Sequence, residues 1–100
     1  MRLIMEPRYW EIVEHIIAKY PYTIAAFGSR VKGVPRQFSD LDLCIMEPVS
    51  DVVLGDIKED FTESNLPFTV DVIAWHNCSD EFKKHIENDL YVLKSLQADE

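Results

Sequence analysis

The chain has 100 residues, 47% of them hydrophobic and 28% charged, with 18 acidic against 10 basic side chains and a formal net charge of −8. That length suits one compact domain, expected over residues 1–100, with a modest core. A surface this acidic repels a long polyanion, so stable nucleic-acid binding is not expected, and no run approaches the roughly 20 apolar residues of a membrane span.

Met1 to Pro7 lacks the apolar stretch and cleavage site of a signal peptide, so the expected location is the cytoplasm. Pro7 suits a first helical position, and Tyr9, Trp10, Val13, Ile16, Ile17 and Tyr20 recur at three- and four-residue steps, an amphipathic helix stopped by Pro21. Residues 22–27 form an apolar run that reads as a buried strand. Ser29 to Lys32 suits a short helical turn ended by Gly33, Val34 and Pro35, and Arg36 to Ser39 a polar loop. A second strand is expected over 41–46. Ser50 caps a helix that buries Val53, Ile57 and Phe61. After the turn at Asn65, Leu66 and Pro67, residues 68–75 read as a third strand. Asn77 or Ser79 then caps a last helix carrying Phe82, Ile86, Leu90, Leu93 and Leu96 inward, with Tyr91 on it. Cys44, in a strand, and Cys78, in a turn, lack a framework spacing and read as reduced thiols. They make a poor zinc ligand set.

The chemistry concentrates in Gly28-Ser29, a spacer of ten residues, and Asp40-Leu41-Asp42. Strand residues two apart point the same way, roughly 6.6 Å apart along the chain. Asp40 and Asp42 therefore share one face, and Leu41, Leu43 and Ile45 the other. Like charges on one face call for a cation between them. Asp71 is the odd residue in an apolar strand, costly to bury unless paired or bound to metal. If the second and third strands are neighbours, it joins Asp40 and Asp42. Three carboxylates suit Mg²⁺, and two such ions about 3.5–4 Å apart clamp a phosphoryl transfer. Gly28 permits close backbone approach, Ser29 offers a hydroxyl, and Arg30, Lys32 and Arg36 bring positive charge for phosphate. Taken singly, each feature has a plainer explanation: a turn, a solvated strand edge, a carboxylate paired with lysine. In this order, on these elements, they make together a strong signal of a functional site.

Gly28-Ser29-Arg30-Val31-Lys32-Gly33, Ser39-Asp40-Leu41-Asp42-Leu43 and Val70-Asp71-Val72 resemble the minimal nucleotidyltransferase (MNT) domain of the DNA polymerase beta-like superfamily, over nearly the whole chain. The resemblance implies an α/β (α+β) fold, a small mixed sheet with helices packed against it. It implies ATP as donor, its triphosphate against Gly28 and Ser29 with Arg30 and Lys32 nearby. Asp40 and Asp42 would hold two Mg²⁺ ions, and Asp71 would bind the catalytic one and help activate the acceptor hydroxyl. Many MNT proteins are antitoxins that transfer AMP to a tyrosine of a HEPN-domain toxin encoded beside them. That implies a hetero-oligomer here, whose partner completes the acceptor site. Two other readings stand beside it: a binding subunit that acts by occlusion, and a small-molecule nucleotidyltransferase of the antibiotic-modifying type.

Overall fold

A computed structural model describes residues 3–33 and 40–96. The elements are α1 (Pro7–Ile17), β1 (Ile24–Phe27), α2 (Ser29–Lys32), β2 (Leu41–Ile45), α3 (Asp51–Thr62), β3 (Val70–Ala74), α4 (Asp80–Ile86) and β4 (Tyr91–Lys94), with 3₁₀ turns at Trp75–Asn77 and Glu87–Asp89. The sheet order is β3-β2-β1-β4. β1 runs antiparallel to β2 and β4, whereas β2 and β3 are parallel. A parallel pair needs a crossover, and α3 supplies it.

The two faces follow from strand alternation. Ile24, Ala26, Leu41, Leu43, Ile45, Val72 and Ala74 point to one side, where α1 brings Val13, Ile16 and Ile17 and α3 brings Ile57 and Phe61. Leu41, Leu43 and Ile45 are all 0% exposed, as their shared parity requires. Phe27 and Cys44 point to the other side, covered by Ile86 of α4, with Ile73, Trp75 and Leu90 packed around them. Burial pushes the Cys44 thiol up to about 12, so this cysteine stays protonated as a small apolar core residue.

Capping sets the helix starts. Ser50 accepts from the Val53 N–H at 3.2 Å and Ser79 from the Phe82 N–H at 3.1 Å. Removing the Ser50 hydroxyl in Ser50→Ala is expected to cost about 1 kcal/mol of stability in urea denaturation.

The C-terminal part departs from the sequence reading. The last helix stops at Ile86, and residues beyond Asp89 form β4, which pairs Tyr91 with Ala26 and Val92 with Ala25. Tyr91 and Leu93 pack into the core, but from a strand, while Leu96 is 48% exposed. Leu90, Leu93 and Leu96 repeat every three residues, which imitates a helical stripe, yet β1 has an open edge that a strand satisfies better. Lys94 makes the strand useful to α1: its ammonium donates to the carbonyls of Ile17, at 3.2 Å, and Tyr20. A cation there adds to the backbone bonds that these carbonyls already accept from the Tyr20 and Tyr22 N–H groups, at the negative end of the helix. α1 itself ends at Ile17, followed by tighter turns in which the Lys19 and Tyr20 N–H groups reach back three residues. The first and third strands are also shorter than expected, beginning at Ile24 and Val70. The polar loop over Arg36 to Ser39, with Val34 and Pro35, lies outside the described residues.

Candidate active site

The site residues collect where β1 ends and β2 and β3 begin. Phe27 is the last residue of β1 and the register partner of Asp42, and Asp42 is the register partner of Asp71. Asp42 shares its face with Cys44 and Asp71 with Ile73, so both carboxylates lie on the α4 side of the sheet. The Leu41 N–H donates to the Thr69 carbonyl at 2.9 Å, which locks the two strands together beside them. Asp40 precedes β2 and is exposed, as is Asp71, whereas Asp42 is half-buried.

Burial, then repulsion from Asp71 and Asp40, pushes the Asp42 carboxyl up to about 6. Asp42 thus feels the charge of both Asp71 and Asp40. Among the described residues no group of three or more His, Cys, Asp or Glu side chains forms a ready-made metal cage. Three like charges repel unless a cation lies between them. What fits Mg²⁺ is the donor type, hard carboxylate oxygen, and its placement on adjacent strands at one end of the sheet.

Gly28 closes the site from the other side. Its backbone has φ +85° and ψ −157°, a region open essentially to glycine. A Cβ built there would lie 2.4 Å from Asp42 Oδ2. The missing side chain leaves the space that the Asp42 carboxylate occupies. Ser29 then opens α2, with the Val31 and Lys32 N–H groups donating to the Gly28 carbonyl at 3.0 Å each.

The four residues expected on the phosphate side separate here. Gly28 stands beside Asp42, and Ser29 follows it as the first residue of α2. Lys32, half exposed, forms an ion pair at 3.1 Å with Asp89, in the turn before β4. The Arg30 side chain is committed to the fold: the residue is 5% exposed, Nη1 donates to the Ile4 carbonyl at 3.1 Å, and the guanidinium lies 4.2 Å over the Phe68 ring. The Ile4 N–H returns a bond to the Arg30 carbonyl at 2.7 Å. Arg30 therefore ties α2 to the N-terminal segment and to the residues leading into β3, which sets Gly28 relative to Asp71. Arg30→Met keeps the stem and removes the donors, and it is expected to cost about 1–3 kcal/mol in urea denaturation. Sequence reasoning missed both Asp89, placed on a helix, and the inward turn of Arg30. The only signal for the latter was the apolar setting of Arg30 between Phe27 and Val31.

Carboxylates thus gather at the ends of adjacent strands, opposite a glycine turn into a helix. The family model described as polymerase beta, nucleotidyltransferase, matches residues 11–98, and the chain belongs to that family. It is 43% identical over 78 residues to the "Probable protein adenylyltransferase MntA" of Haemophilus influenzae, covering 76% of this chain and 68% of the relative. The chain is a nucleotidyltransferase, as the resemblance implied, with the mixed sheet and packed helices expected of it. Among the described residues, no helix is long and apolar enough to cross a membrane.

Proposed function

We propose that this chain transfers AMP from ATP to a hydroxyl of a partner protein, a tyrosine of a HEPN-type toxin encoded beside it, and so acts as the antitoxin of the pair. The observation that carries the reading is the register of Asp42 against Asp71, with Gly28 closed onto the Asp42 carboxylate. The name of the relative, a protein adenylyltransferase, supports a protein acceptor. The net charge of −8 supports a basic partner.

In this reading Asp40, Asp42 and Asp71 would hold two Mg²⁺ ions, which would supply charge neutralisation at the phosphates. Gly28 and Ser29 receive the triphosphate, and Lys32 adds positive charge from the end of α2. Arg30 contributes by placing α2. Asp71, exposed at the start of β3, faces the incoming hydroxyl and takes its proton on the carboxylate. The hydroxyl oxygen bonds to the α-phosphorus in line. The bond from that phosphorus to the bridging oxygen breaks, and pyrophosphate leaves. Positioning and charge neutralisation account for most of the rate. The partner completes the acceptor site, so the working unit is a hetero-oligomer in the cytoplasm.

The test is to incubate the folded chain with ATP, Mg²⁺ and the product of the neighbouring gene, then map adducts by mass spectrometry. An AMP adduct on a tyrosine of that protein is expected, and its loss in Asp71→Ala. An unmodified partner would refute the reading.

A further inference from the structure

Nucleotidyl transfer needs a place for the donor's base as well as its phosphates. A base is a flat π-system, and a solvent-open aromatic ring beside the phosphate site suits it. Phe82, expected in the core, is 37% exposed. The other large apolar side chains left open among the described residues are Val52, Val92 and Leu96, none of them aromatic.

Phe82 is joined to the site through one neighbour. Its ring meets that of Phe27 edge to face, with centroids 6.2 Å apart and planes at 81°. Phe27 is buried, lies across the ladder from Asp42, and directly precedes Gly28. The chain of contacts from Asp42 to Phe27 to Phe82 thus leads from the carboxylates onto the face of the sheet that α4 covers. The Phe82 backbone is fixed as well, since its N–H donates to the Ser79 cap at 3.1 Å. The cap and the edge-on contact orient the ring, and part of its surface stays open to solvent.

We propose that Phe82 is the stacking platform for the base of the nucleotide donor. The assignment rests on the nucleotidyl-transfer reading above and adds the base to it. Stacking on a ring is tolerant of base identity, because every base has a π-face. Phe82 therefore holds the base without choosing it, and ATP and GTP bind alike within about threefold.

Calorimetry on the full chain with Mg²⁺ tests this, comparing ATP with inorganic tripolyphosphate, which carries the phosphates and no base. Phe82→Leu keeps an apolar contact on Phe27 and removes the ring. It is expected to weaken ATP about tenfold and to leave tripolyphosphate unchanged. Phe82→Tyr restores the ring and is expected to bind ATP within about twofold of wild type. ATP binding that is untouched by Phe82→Leu, or lost equally in Phe82→Tyr, overturns the platform, as does a parallel loss of tripolyphosphate. Wild-type protein that binds neither ligand overturns the nucleotidyl-transfer reading itself.

Discussion

Gly28→Ala is expected to reduce nucleotidyl transfer by on the order of a hundredfold or more and to destabilise the fold. Two costs add. At φ +85° and ψ −157° an alanine is strained by roughly 1–3 kcal/mol. The new methyl also lands 2.4 Å from Asp42 Oδ2, so the carboxylate must leave its place. Misplacing a reacting group by about 1 Å costs on the order of 10²-fold in rate. The clash is with one side chain, so it can be separated from the strain. In an Asp42→Ala background Gly28→Ala meets no carboxylate, and only the backbone penalty remains. Urea denaturation of the two single variants and the double variant is expected to show the double less destabilised than their sum. Simple additivity would mean that Gly28 does not close on Asp42.

Asp42→Asn is the second large effect, and it moves activity and stability in opposite directions. It removes a charge from the heart of the carboxylate group. Transfer is expected to fall by on the order of 10³-fold, the upper end of what one preorganised electrostatic group contributes. Stability depends on pH through the same side chain. Asp42 titrates in the fold at about 6, above its ordinary 3.8. Between those values the folded state binds the proton and the unfolded chain does not. Wild-type stability therefore falls as pH rises from about 4 to about 6 and levels off above, by on the order of 2 kcal/mol. Asparagine does not titrate, so Asp42→Asn is expected to be the more stable protein at pH 7.5 and to lose that advantage near pH 4. Thermal unfolding across this range checks it. Equal stability of the two proteins at both pH values would show that the carboxylates do not strain the fold. Mg²⁺ is expected to raise the melting temperature of wild type and to act far less on the variant, because a ligand that binds only the folded state stabilises it.

The same residues show why part of the molecule was legible in the sequence. Leu41, Leu43 and Ile45 alternate with Asp40, Asp42 and Cys44, and strand periodicity alone puts the two sets on opposite faces. Leu41, Leu43 and Ile45 are buried on one face, while Cys44 is buried on the other, under Ile86. Asp71 stands out as a charge in an apolar strand, and its pairing with Asp42 required only that β2 and β3 be neighbours, which α3 as a crossover makes natural. The C-terminal strand was hidden because residues 86–96 carry a spacing that serves either state, and the deciding fact, an open edge on β1, is a property of the assembled sheet. Asn88 and Asp89, a turn signal before Tyr91-Val92-Leu93, were the available hint. Arg30 and Phe82 were misplaced for a related reason. An arginine near a glycine turn suggests phosphate, and a phenylalanine on a helix suggests core. Each is decided by neighbours distant in the chain: Ile4 and Phe68 for Arg30, Phe27 for Phe82.

In the proposed reaction, carboxylates on adjacent strands direct attack at the α-phosphorus. The most direct measurement follows label from ATP carrying it at either the α- or the γ-phosphate, with Mg²⁺ and the neighbouring gene product, in wild type and in Asp42→Asn. The structure predicts that α-label becomes attached to the acceptor, that γ-label leaves in pyrophosphate, and that both signals disappear in the variant. Transfer of the γ-label, its release as orthophosphate, or α-label transfer undiminished in Asp42→Asn would contradict it.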